Sequence, residues 1–130
     1  MLFRPYREGQ NSFYLEFQYC DYPKEAPIKG GIVSVSNIVF RRYDSLYVHG
    51  AEMFDFYDLY KTFFCNGFYN NGKRGVVDMW GINYYPPEEA SLVVKRVQEL
   101  VQERGSEDDK VLLKWLESVE QHNGFYILGI

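Results

Sequence analysis

The chain has 130 residues, a length that predicts one domain, residues 1–130, able to bury roughly two-thirds of its unfolded surface without staples. Lys plus Arg total 14 against 18 Asp plus Glu, a net charge of -4, which argues against the basic face that nucleic-acid binding requires and makes any charged partner a basic one. No apolar run approaches the roughly 18 to 20 residues of a membrane span, and Met1-Leu2-Phe3-Arg4-Pro5-Tyr6 lacks a signal-peptide layout, so the expectation is a cytoplasmic chain with no membrane partner.

Along the chain, residues 13–19 alternate, with Phe13, Leu15, Phe17 and Tyr19 on one side and Tyr14, Glu16 and Gln18 on the other: the period of a half-buried strand. Two prolines in residues 21–27, then Gly30-Gly31, predict a surface loop. The β-rich runs 32–35, 37–42 and 46–48 complete what reads as an antiparallel meander. In residues 52–64 the period changes. Met53, Phe56, Tyr57, Tyr60, Phe63 and Phe64 fall at helical spacing, while Glu52, Asp55, Asp58 and Lys61 face elsewhere. Asn66-Gly67 and Asn70-Asn71-Gly72-Lys73 predict a loop, and residues 76–85 return to strand composition, apolar on both sides like a strand in the middle of a sheet.

Pro86-Pro87-Glu88-Glu89 opens the clearest helix, since proline suits the first turn and acids there complement the N-terminal dipole. Its apolar face is Ala90, Val93, Val94, Val97, Leu100 and Val101; Gly105 ends it, and Ser106 with Asp109 caps the next helix, whose stripe is Leu112, Trp115, Leu116 and Val119. Gly124 stops that helix before a last strand, 125–128. The fold class expected is α+β: a mostly antiparallel sheet with an antiparallel C-terminal helix pair packed on one face.

Twelve Tyr, ten Phe and two Trp exceed what one core needs, and tyrosine is enriched where proteins grip one another. Between Tyr43 and Tyr60 the only charged residues are Asp44, Glu52, Asp55 and Asp58, interleaved with aromatics. Asp44, Tyr47, Glu52, Asp55, Tyr57, Asp58 and Tyr60 are therefore the candidate partner-binding face, acids imitating phosphates and tyrosines supplying anchors. The plainer alternative is a solvated helix face over a core stripe.

No catalytic residue, cofactor site or metal site is expected. Cys20 and Cys65 stand alone and should remain thiols, His49 and His122 are the only imidazoles, and Gly72-Lys73-Arg74-Gly75 lacks the glycine spacing of a nucleotide fingerprint. The basic pairs Arg41-Arg42, Lys73-Arg74 and Lys95-Arg96 are too separated to read as a nucleic-acid footprint. Two other classes remain open. One is a small enzyme centred on His49 with Asp55 or Asp58; the other is a self-associating structural or adaptor subunit.

The segment Gly81-Ile82-Asn83-Tyr84-Tyr85-Pro86-Pro87 leading into a helix, and the closing Gly124-Phe125-Tyr126-Ile127-Leu128-Gly129-Ile130, complete an acidic, aromatic-rich type. It resembles the immunity proteins of bacterial contact-dependent growth inhibition and related polymorphic toxin systems. The resemblance implies a cytosolic, non-enzymatic protein that binds and neutralises a cognate toxin domain, such as a nuclease, by covering its active site or an adjoining surface.

Overall fold

The computed structural model describes residues 1–8, 10, 13–23, 28, 29, 31–36 and 38–130, residue 29 by its backbone alone. Its strands are β1 (Phe3–Pro5), β2 (Tyr14–Tyr19), β3 (Ile28–Lys29), β4 (Ile32–Val33), β5 (Leu46–His49), β6 (Gly67–Tyr69), β7 (Arg74–Gly75), β8 (Ile82–Tyr85) and β9 (Phe125–Leu128). Its helices are α1 (Met53–Tyr60), α2 (Pro87–Glu103) and α3 (Glu107–Glu117), with 3-10 turns before α1 and after α3. Seven strands form one sheet in the order β1-β5-β2-β9-β8-β6-β7, each pair antiparallel, and β3 and β4 form a separate ribbon. The architecture is α+β, with α2 and α3 packed together.

One face of the sheet contributes Leu15, Phe17, Val48, Tyr85, Phe125 and Ile127 to the main core. Against them lie Met53, Phe56 and Tyr60 of α1, Val93 and Val97 of α2, and Leu112, Trp115 and Leu116 of α3. Aromatic rings meet here edge to face, Phe17 touching Phe3, Phe56, Phe64 and Trp115 at centroid separations of 5.6–6.0 Å. Such geometry sets the positive ring edge against the negative face and stabilises beyond burial alone. Most of the aromatic surplus is therefore packing.

The opposite face is covered as well. Cys20, Val33, Tyr84, Tyr126 and Leu128 form a second cluster, closed by Ile28, Ile38 and Phe68. The expectation that Glu16 and Gln18 would face solvent is corrected: both are buried. The Glu16 carboxylate accepts from the Arg41 and Arg42 backbone N–H groups, the Ser45 hydroxyl and the Gln18 amide, which replaces the lost water.

Several further expectations change. The first 50 residues are no meander, because β2 lies between β5 and β9 while β3 and β4 pair apart. Run 37–42 forms no strand across its described residues. The loop expected at 66–73 contains β6, turned back onto β7 by Gly72 at φ +84°. Strand character in 76–85 is confined to β8, since Asn83 binds the Asp78 backbone N–H and C=O and holds the preceding residues 78–81 in a turn. The central strand is β9, not β8. The helix expected over 52–64 is α1, which ends at Tyr60 and continues as turns.

Candidate protein-docking surface

Helix α1 packs Met53, Phe56 and Tyr60 inward, which leaves Phe54, Asp55, Asp58 and Leu59 on its outer side. Phe54 is 62% exposed and Leu59 49%, although solvated helix faces ordinarily carry polar residues there. Trp80, 65% exposed, stands beside Phe54 with ring centroids 6.3 Å apart. Turn geometry presents that indole: the Asp78 carboxylate accepts from the Trp80 backbone N–H at 3.0 Å. Phe54, Tyr57, Val77, Asp78, Met79 and Trp80 line a cleft of about 250 Å³. On the other flank of α1, Glu52, Asp55, Asp58 and Asp108 border a shallow groove with Met1 and Leu59.

The seven residues expected to grip a partner separate into two groups. Glu52, Asp55 and Asp58 border that groove, and half-buried Tyr57 lines the adjoining cleft, its ring 5.3 Å from the Lys61 ammonium. Glu52 also pairs with Arg4. Tyr47 and Tyr60 are each only 1% exposed and cannot serve as anchors in this structure. The Tyr47 hydroxyl donates to the Arg42 carbonyl, and burial together with the nearby Glu16 charge pushes its pKa above the usual phenol range. Tyr60 donates to the Asp109 carboxylate at 2.6 Å, and burial with that contact raises it likewise. Asp44 belongs elsewhere: it pairs with Arg42 at 3.0 Å, and its carbonyl accepts from the Trp115 indole.

Phe54 and Trp80 escaped the sequence reading. Phe54 lies off the apolar stripe of α1, and that departure was the available signal; Trp80 sat within a segment read as a central strand.

His49 does not join Asp55 or Asp58. Its Nδ1 accepts from the Ala51 backbone N–H at 3.1 Å, capping the turn before α1, and its ring meets Phe13 and Tyr14 edge to face. His122 bonds Asp21 at 2.7 Å and stacks on Tyr19, which stacks in turn on Trp115. Among the described residues no group of three His, Cys, Asp or Glu side chains has metal-binding geometry, and no helix is long and apolar enough to cross a membrane. No protein-family model, curated protein or solved structure matches this chain.

Proposed function

We propose that this chain is a binding protein that docks a basic partner protein through the outer face of α1 and Trp80, and that it acts as an immunity protein, neutralising a toxin domain. The observation that carries the reading is the pairing of exposed Phe54 and Trp80, with Asp78 lining their cleft and Asp55 and Asp58 on the other exposed flank of α1. Aromatic anchors with an acidic rim suit a partner whose apolar pocket lies within a cationic surface, such as the substrate cleft of a nuclease. The net charge of -4 would also steer the chain toward such a surface and raise the association rate.

The test is co-expression with candidate toxin domains encoded by neighbouring genes, read as complex formation and as rescue of growth. Phe54→Ala with Trp80→Ala is expected to weaken the complex by about 2 kcal/mol or more. Charge reversal at Asp55 and Asp58 with Tyr57→Ala should slow association and flatten its salt dependence. Full affinity in both variants would remove α1 from the interface. A stable homodimer that dissociates on Trp80→Ala would instead assign the patch to self-association.

A further inference from the structure

An open cleft of about 590 Å³ lies on the sheet face opposite α1, within the size range of small-molecule sites. Four aromatic side chains, Phe13, Tyr14, Phe40 and Tyr47, line it with Arg41 and Glu16. Its polar groups are unevenly committed. Glu16 is saturated by four donors, and the Tyr47 hydroxyl is bonded to the Arg42 carbonyl. Among the described residues, by contrast, the Arg41 guanidinium has no hydrogen-bond or ion-pair partner, the Tyr14 hydroxyl has none, and the Gln10 amide nitrogen is shielded from solvent without one. The open groups are thus chiefly donors, one of them cationic.

Arg41 is also the only described residue other than glycine with a positive φ, +64°. Side chains resist this conformation and glycine adopts it freely. Here it is enforced by Glu16, which binds the N–H groups of both Arg41 and Arg42. A buried carboxylate therefore holds an uncommitted arginine at the wall of an aromatic cleft in a backbone state that glycine would fill with less strain. Strain maintained by its surroundings is a mark of ligand sites.

We propose that this cleft binds a small aromatic carboxylate, its ring laid against Phe13, Tyr14 and Phe40 and its carboxylate held by Arg41 with help from the Gln10 amide. Arginine suits the role because its planar fork meets a carboxylate with two parallel hydrogen bonds. The ligand ring, packed against these side chains, would shield that contact from water on one side and strengthen it.

Titration of the isotope-labelled full chain with 3-phenylpropionate, alongside its neutral analogue 3-phenylpropanamide, provides the test. Saturable shifts at the amides of Tyr14, Arg41 and Gly129 are expected with the acid, and affinity roughly tenfold or more weaker with the amide, as for loss of a charge-assisted hydrogen bond. Arg41→Gly separates binding from folding: it relieves the backbone and should raise the thermal midpoint, yet reduce acid affinity by about the same factor. Arg41→Lys should retain part of it. Equal binding of acid and amide, unchanged affinity in Arg41→Gly, or no saturation by either probe would overturn the proposal.

Discussion

Asp109 illustrates how a single buried charge is made tolerable. Burial alone would raise its pKa, but Arg104 at 2.7 and 2.8 Å, the Tyr60 hydroxyl and Ser106 outweigh that and hold it at about 2. The sign follows from the ordinary value of 3.8: the folded form binds this proton less readily than the unfolded chain, so the contribution is complete above the unfolded pKa and lost as pH falls toward 2. Urea unfolding at pH 7 is expected to show Asp109→Asn destabilised by on the order of 2 kcal/mol, and the difference from the parent should close between about pH 5 and pH 2. A constant difference across that range would assign the effect to packing. Glu89 is a second case, buried between Arg96 at 3.1 Å and Asn66, and it ties α2 to the segment after α1. Neither carboxylate can be told from a surface acid by residue type, because each is buried with a partner distant along the chain, Tyr60 for Asp109 and Asn66 for Glu89.

At the scale of elements, legibility tracks how local the signals are. The start of α2 is marked by proline and two acids, its end by Gly105 at φ +60°, and the start of α3 by Ser106, whose hydroxyl accepts from the Asp109 N–H at 3.1 Å. Ser106→Ala should cost about 1 kcal/mol in chemical unfolding, the usual value of such a cap. Gly124 carries more. Its φ is +75°, and a Cβ there would lie 2.0 Å from the Tyr85 carbonyl, so Gly124→Ala combines a disfavoured backbone with a clash against the neighbouring strand. A loss of about 2 kcal/mol or more is expected by the same measurement, exceeding that of Ser106→Ala. The β6–β7 hairpin was hidden for the opposite reason: Asn and Gly signal a turn but not whether strands flank it. Gly67 is required there because the Tyr85 ring passes 2.7 Å from where its Cβ would be, a constraint set by a different strand.

Across the whole molecule, β9 joins what would otherwise be two sheets. Glu16 pairs with Leu128 on one side and Ile82 with Leu128 on the other, so the last strand bridges the N-terminal and middle portions of the chain. Deleting residues 125–130 should abolish the near-ultraviolet circular dichroism of packed aromatics, since β2 and β8 lose their shared neighbour and the core loses Phe125 and Ile127. Retention of native signal would show that the two halves close without it. Pairing the start of the chain to its end also places the sheet among topologies dominated by non-local contacts, which fold slowly.

By itself the sequence determined the α+β class, the helix pair near the C-terminal end, the strand cores at β2 and β5, and β9 as a strand, because periodicity and capping residues act over a few neighbours. An acidic, aromatic α1 was legible too, and with it Glu52, Asp55, Tyr57 and Asp58 on or beside its exposed flanks. Tertiary structure alone decided strand order, the burial of both faces of β2, and which aromatics remain in solvent. Tyr47 and Phe54 illustrate the last point. Residue type cannot separate them, yet Tyr47 lies buried on the second sheet face with its hydroxyl satisfied by the Arg42 carbonyl, while Phe54 projects from the exposed side of α1. Exposure is a relation between elements distant along the chain, and no short window of residues encodes it.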